Sequence, residues 1–484
     1  MADSADGLNF IIVGASVSGL ASAISLKKSG HNVLVLEKDS QLGGADSDLN
    51  GCAAICPNGS KILLDWGLLD AEVKAKSADM PGFAFFKYHA GERPEPDFLG
   101  ENRWNEEMLF EARGGYMQLF HQDLLRLLYD EATKKGESSS RVSVVFGAEI
   151  ESIDCDACTV TLQSGETHTG DVIIGADGAR GVVRQTLMQE EDASLEDDVL
   201  TGMAVYSTII PKASIVENGL EKWFYEYDDI GSSIWVGPNR SAWIFPVGEA
   251  NDLVLWVYTP DSTQDGSWTD KAEIKLTDVL GPCDARLERL AALAKGPAAC
   301  VQIRDPYPLE SWVSESGKVM VLGDAAHPFP PGGFHRYSVA LEDAAFIGKI
   351  FSHTRDRNRV SEFLYAFQEH RESRCVRIRE IEMEYVTAAN LPEGEAHNQR
   401  DIGMRENHAA GRNALEGNFE QMLEDYRIVF GYDAMDDAEE WWINWGRFRE
   451  RAMSNASGGV NFGQSFSNTT SSGSGDEEEL EEKY

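Results

Sequence analysis

The chain has no surplus of basic residues. Its 484 residues carry 81 acidic against 43 basic side chains, a net charge of −38, which excludes a basic face for nucleic acid or anionic membrane. No run of about 18 apolar residues is present, so no membrane span is expected. Met1 to Leu8 are polar and acidic, where a secretory signal needs a basic and then an apolar run, and the chain reads as cytoplasmic. Seven cysteines, an odd number, give no disulfide framework. Cys155 and Cys158 form a C-x-x-C, but the acidic neighbours Asp154 and Asp156 would raise a thiol pKa rather than lower it. No second ligand pair is spaced to complete a metal site, and no internal repeat is visible.

What is present is a set of three glycine and aspartate motifs: Gly14-Ala15-Ser16-Val17-Ser18-Gly19, Gly175-Ala176-Asp177-Gly178, and Gly323-Asp324-Ala325-Ala326-His327-Pro328. Each follows a short apolar run that reads as a buried strand: Asn9 to Val13, Asp171 to Ile174, and Lys318 to Leu322. After the first motif comes a helical pattern ending near Ser29-Gly30, then a strand over Val33 to Leu36. That unit opens a doubly wound sheet. A pyrophosphate needs backbone N–H groups and the positive end of a helix, so Gly14 makes the turn and Gly19 lets helix meet strand. Ser16 takes the middle position, usually glycine, and its Cβ crowds the phosphate slightly. Glu37, closing the second strand, suits ribose hydroxyls and would repel a 2′-phosphate. Asp177 and Asp324, at strand ends, suit further sugar-like hydroxyls, with Gly178 permitting the turn. Alone, the first motif also fits an unrelated sheet whose first turn needs glycine. In this order the three read as an FAD site.

These motifs, with Pro57-Asn58-Gly59, Trp66-Gly67-Leu68, Asp123-Leu124-Leu125, Arg184 and Leu341-Glu342-Asp343-Ala344, make the chain resemble the group A FAD-dependent monooxygenases, the aromatic hydroxylases, over roughly residues 8 to 380. Fungal salicylate hydroxylase-like members are the nearest in kind. The resemblance implies an α/β fold: a doubly wound FAD-binding domain in two parts (1–195 and 301–390), an inserted β-sheet substrate domain (196–300), a helical C-terminal region (391–453) and a disordered acidic tail (454–484). Leu200 to Tyr258, rich in β-branched and aromatic residues, supplies that sheet. Val360, Phe363, Leu364 and Phe367 fall at the spacing of a long amphipathic helix. Trp441, Trp442 and Trp445 read as packing residues.

The resemblance also implies a mechanism in which NADPH or NADH reduces FAD, O2 adds to the flavin as a C4a-hydroperoxide, and one oxygen passes to an electron-rich, hydrophobic small molecule. It places Gly51, Arg113, Pro331, Gly332, Gly333 and Tyr337 at the cofactor alongside the motif residues. Tyr206, Tyr225, Tyr227, Trp235, Arg240 and Trp243 are the expected substrate-pocket residues. The chain departs from the family in three places. Phe334-His335-Arg336-Tyr337 replaces the usual Gly-Gln-Gly-Ala, which makes His335 and Arg336 the candidates for charge at the flavin ring. His121-Gln122-Asp123 lacks an arginine that often contacts the cofactor, and Arg113 is the nearest substitute. Tyr206-Ser207 and Phe245-Pro246 lack the arginine and tyrosine that phenol-hydroxylating relatives tend to carry. Without that arginine an indole, alkene or other aromatic in fungal secondary metabolism, epoxidised or hydroxylated, fits better than a phenolate. A salicylate-type phenol hydroxylase, a flavin oxidase releasing only peroxide, and an inert FAD-binding partner protein are the alternatives. The sequence leaves the oligomeric state open.

Overall fold

The computed structural model describes residues 7–44, 51–89, 91, 96–135, 140–225, 230–260, 274–416 and 419–447. Tyr227 and the tail 454–484 lie outside them. The chain divides into two compact units, Met1–Glu440 and Trp441–Tyr484. Of the second, residues 441–447 are described; Trp442–Gly446 form a π-helical turn, and Trp445 is exposed rather than packed. Among the described residues no helix is long and apolar enough to cross a membrane.

The first unit is built on a parallel five-stranded sheet, ordered β17 (Val319–Val321), β11 (Val172–Gly175), β1 (Asn9–Val13), β2 (Asn32–Glu37), β7 (Val142–Phe146). Its strands are short apolar runs because helices cover both faces. From β1 the chain moves to β2 on one side, while β11 and β17 add on the other, so the strand order reverses between β1 and β11. The helices used below are α1 (Val17–Lys28), α2 (Pro57–Asp65), α3 (His121–Thr133), α4 (Val182–Glu190), α5 (Arg336–Phe351) and α6 (Val360–Ala389). Helix α1 is buried on all sides, and its small residues let α5 come close: a Cβ on Gly348 would lie 1.9 Å from Ser25 Oγ. Phe363, Leu364 and Phe367 are the buried face of α6, as their spacing predicts. Helices Glu395–Ala409, Phe419–Phe430 and Ala434–Trp441 follow.

A second, seven-stranded sheet is ordered β16 (Ala299–Asp305), β12 (Val199–Ile210), β15 (Asp252–Pro260), β14 (Arg240–Val247), β13 (Ser233–Gly237), β4 (Gly82–Lys87), β5 (Phe98–Arg103). It is wider than the 196–300 span, because β4 pairs in parallel with β13 and brings β5 with it. A ribbon of β3 (Cys52–Ile55) with β6 (Met117–Phe120), and a meander of β8 (Ile150–Asp154), β9 (Thr159–Leu162) and β10 (Thr167–Thr169), complete the strands among the described residues.

Alternation divides the large sheet into two apolar faces. One carries Phe86, Tyr88, Tyr206, Trp235, Ile244, Leu255 and Val257, and it packs on the helices Lys212–Glu217, Glu221–Phe224, Leu276–Leu280 and Ala285–Ala291. Trp235 stacks on Phe86 with centroids 5.8 Å apart and donates Nε1–H to Asp284 Oδ2 at 3.1 Å. The other face, described below, looks toward the loop before α5.

Two predictions follow from this packing. Trp235→Ala should cost about 3–5 kcal/mol of stability in a urea melt, and Trp235→Phe, which keeps one aromatic ring but loses the pyrrole ring and the bond to Asp284, about 1–3 kcal/mol. His31, fully buried after α1, receives the Leu8 N–H at Nδ1 (3.1 Å) and donates Nε2–H to Phe351 O (2.9 Å). Burial first, and then the nearby Arg355, lower its pKa to about 4. Because the unfolded chain takes up this proton first, His31 stabilises the fold above pH ~6.5, and that stability is lost as pH falls toward 4. Urea midpoints of wild type and His31→Gln should therefore converge on acidification; parallel curves would contradict the assignment.

Candidate active site

The three motifs meet at the carboxyl ends of adjacent parallel strands, where Val13 pairs with Gly175 and Gly175 with Val321. Such a crevice beside a reversal in strand order is where open α/β sheets bind ligands. Gly14, at φ +103°, leaves no room for a side chain, since a Cβ would stand 2.6 Å from Ala176 O. Ser16 caps α1: its Oγ accepts Gly19 N–H at 3.2 Å and donates to Ala176 O at 2.8 Å. The hydroxyl thus ties the first motif to the second. Glu37 Oε2 accepts Ala15 N–H at 2.7 Å, which fixes a carboxylate beside the turn.

In the second motif, Asp177 accepts Val183 N–H at 3.1 Å through Oδ2 and so caps α4, and Gly178 turns at φ +86°. Its Oδ1 is buried and has no partner among the described residues; burial raises this carboxyl pKa to about 6. The fully buried Arg184 of α4 donates Nη1–H to Ala325 O at 2.9 Å and Nη2–H to Tyr307 O. A buried arginine that the family motif contains therefore joins the second motif to the third.

The third motif is held from below. Gly323 N–H donates to Asp343 Oδ2 at 2.9 Å, and His327 Nε2 lies 2.6 Å from the same oxygen. Arg371 of α6 reaches Asp343 Oδ1 through Nε (2.9 Å) and Glu342 Oε2 through Nη2 (2.8 Å). Arg374 grips Glu342 from the other side at 2.6 and 2.7 Å, and Asn58 of α2 donates to Glu342 Oε1 at 2.6 Å. Burial pushes both carboxyls up, but the guanidiniums and, for Asp343, His327 pull them below the usual carboxylate range. Cys375 Sγ stands beside Asp343 and His327. Arg371 already neutralises this carboxylate, so the trio is a poor cation site.

The other expected site residues make contacts with one another and with their neighbours. Asp324 is ion-paired with Arg336, so two residues expected at the cofactor hold each other. The Arg336 guanidinium lies 5.6 Å from the Tyr337 ring centroid, and the His121 ring lies 5.4 Å from the Tyr337 ring. His121 stands where an arginine was expected. Its buried Nδ1 has no partner among the described residues, and burial, with the charge of Arg336, lowers its pKa to about 4. Gly51, at φ +57°, accepts His121 N–H through its carbonyl at 3.1 Å. Arg113 does not replace the missing arginine: it is largely exposed and pairs with Asp433 and Asp65. His335, the other candidate for charge at the ring, has its Nδ1 2.6 Å from Glu382 Oε2 on α6.

The pocket expectations fare unevenly. Tyr206 and Trp235 face the helix-covered side of the large sheet. There, too, Tyr225 donates its hydroxyl to Asn251 O at 2.8 Å, and Arg240 Nη1–H goes to Leu280 O while its guanidinium covers Tyr88. Alternation along the strands places Tyr206, Trp235 and Arg240 there, and Tyr225 follows from the end of the helix Glu221–Phe224, which a count of aromatics does not reveal. Trp243 alone of the described set lies on the side facing Phe334, together with Phe245, noted in the sequence only as a departure, and Phe83, Trp256 and Tyr258, which sequence reasoning passed over. Tyr258 donates its hydroxyl to Pro331 O at 3.3 Å, and Gly332 (φ +85°) lies so close that a Cβ would meet this hydroxyl at 2.2 Å. Gly333 N–H donates to Pro330 O at 3.1 Å. Glu382, on a helix of many acidic residues, carries no sequence signal at all.

The residues present fit FAD. Asp177 Oδ1 and His121 Nδ1 are buried without a partner among the described residues, and the turn from Gly14 runs directly into the N-terminus of α1.

The FAD binding domain family matches residues 8–380. FAD-dependent monooxygenase OpS4 of Beauveria bassiana (strain ARSEF 2860) is 25% identical over 400 residues, 82% of this chain and 89% of that protein. FAD-dependent monooxygenase ntnJ of Nectria sp is 27% identical over 399 residues, 81% of this chain and 87% of its own length. Among solved structures, CtdE in complex with FAD and substrate has a TM-score of 0.71 at 16% identity, covering 92% of this chain and 100% of that one. A salicylate hydroxylase substrate complex has a TM-score of 0.68 at 16% identity, covering 90% and 98%. At such identities these two structures share the fold. With the three motifs joined at one crevice and the family matched across most of its length, the chain belongs to the FAD binding domain family and, within it, to the group A FAD-dependent monooxygenases.

Proposed function

We propose that this FAD-dependent monooxygenase consumes NADPH or NADH and transfers one oxygen atom of O2 to an electron-rich hydrophobic small molecule, by epoxidation or hydroxylation of an indole, alkene or aromatic in fungal secondary metabolism. The observation that carries this reading is the crevice itself. The three motifs meet at one set of strand ends, and the loop that follows the third carries Pro331 and Phe334 against the aromatic face of Phe83, Trp243, Phe245, Trp256 and Tyr258. Ser207, where a phenol-hydroxylating relative tends to carry arginine, is small and nearly buried, so a phenolate would find no cation from that position.

Bound FAD supplies the activation of O2 and the oxygen transfer. The chain's own residues position and shield. The Gly14 to Gly19 turn and the N-terminus of α1 take the pyrophosphate, and Glu37 takes the ribose hydroxyls. Asp177, Gly178 and Asp324 take the remaining polar groups, while Gly51, Pro331, Gly332, Gly333 and Tyr337 shape the backbone around the ring. The aromatic face excludes water, which strengthens each polar contact inside the crevice. The division into 1–195, 196–300, 301–390 and 391–453 belongs to this proposal, as does the cytoplasm as compartment.

Under 18O2, turnover should place one labelled atom in the product; label confined to hydrogen peroxide would overturn oxygen transfer and leave an oxidase. Asp324→Asn should lower FAD affinity about tenfold or more, because it removes a charged acceptor and leaves Arg336 without its counter-charge. Flavin absorbance after dialysis reads this directly, and full retention of FAD would remove Asp324 from the cofactor site.

A further inference from the structure

The loop entering α5 sends one large side chain across the crevice. Gly332, in the left-handed region at φ +85°, redirects the chain after Pro330 and Pro331, and Phe334 then inserts its ring into the aromatic face. Its centroid is 5.5 Å from Phe83, 5.4 Å from Phe245 and 5.6 Å from Trp256, and it stacks on Trp243 at 5.7 Å with 23° between planes. Phe334 is 8% exposed. The side chain thus fills the place that a flat ligand resting on these rings would take.

A second set of contacts fixes it there. Glu382, 2% exposed on α6, accepts Phe334 N–H through Oε1 at 2.9 Å and His335 N–H through Oε2 at 3.0 Å. The same Oε2 lies 2.6 Å from His335 Nδ1, and the imidazole stacks on Phe430. One buried carboxylate therefore takes both backbone donors at the ring-bearing turn. Helix α6 cannot easily give way, because Arg371 and Arg374 anchor it to Glu342 and Asp343.

We propose that Phe334 is a specificity-determining residue whose ring occupies the aromatic site in place of a planar substrate ring, and that Glu382 is the positioning residue that latches it. This rests on the reading of the aromatic face as the substrate wall. A substrate must displace a benzyl group already satisfied by four aromatic neighbours, so the site selects extended planar aromatics over single-ring phenols. Glu382 sets how firmly it is held.

The test is isothermal titration of the full-length, FAD-loaded protein with indole as the probe. Phe334→Ala should bind indole about tenfold more tightly than wild type, and Glu382→Gln about threefold more tightly. A residue that only supports the fold would lower the melting temperature without tightening ring binding. If Glu382 acts through Phe334, the double variant should match Phe334→Ala; multiplied gains, or no gain in Phe334→Ala, would overturn the proposal. Should Glu382→Gln fail to fold, Phe334→Trp decides: it should weaken indole binding, and wild-type affinity would overturn the proposal. Heat of binding is independent of turnover. A chain that binds indole as expected but places no 18O in product loses the oxygenase reading and keeps this one, and the converse result separates them the other way.

Discussion

The Asp343 carboxylate is the joint on which the crevice hangs. One of its oxygens takes the Gly323 amide and lies beside His327, and the other takes Arg371, so a turn, an imidazole and a 30-residue helix share one buried anion. Buried carboxylates of this kind stand only when every lone pair finds a donor, and here Glu342 next to it is satisfied in the same way by Arg371, Arg374 and Asn58. Removing either arginine would leave charge stranded in the core. The third motif therefore owes its position to residues nearly fifty positions downstream, and the first and second are added to it through Ser16 and Arg184.

Much of this could be read from the chain, for a physical reason. Short apolar runs ending in glycine are strands that must turn sharply at a ligand, and those at Val13, Ile174 and Leu322 carry enough local signal to be seen. Asn58 and Glu342, noted only as pieces of separate motifs, prove to touch each other. The crevice-facing aromatics were not legible in the same way. Trp235 and Trp243 look alike in sequence, and only the strand pairing reveals that one faces helices and the other faces Phe334. The run Phe83-Ala84-Phe85-Phe86 is a strand signal far from the rest of its sheet, so its partner Ser233–Gly237 could not be inferred from spacing.

Glu382 marks the limit of that kind of reading. Its importance comes from what α6 lies against, and a glutamate in an acidic helix is by default a solvated one. His335 and Arg336 show the same limit from the other side. Their types and spacing suggested charge at a flavin ring but not the carboxylates they lie against, Glu382 and Asp324.

The large sheet also bears on how such enzymes can diversify. Since β4 and β5 come well before β13 in the chain and pair with it, and β16 returns beside β12, the large sheet is stitched into the polypeptide at separate places. A recombination event that exchanged only the central span would deliver a sheet missing the edge that carries Phe83. No single contiguous stretch of the chain therefore carries the whole sheet.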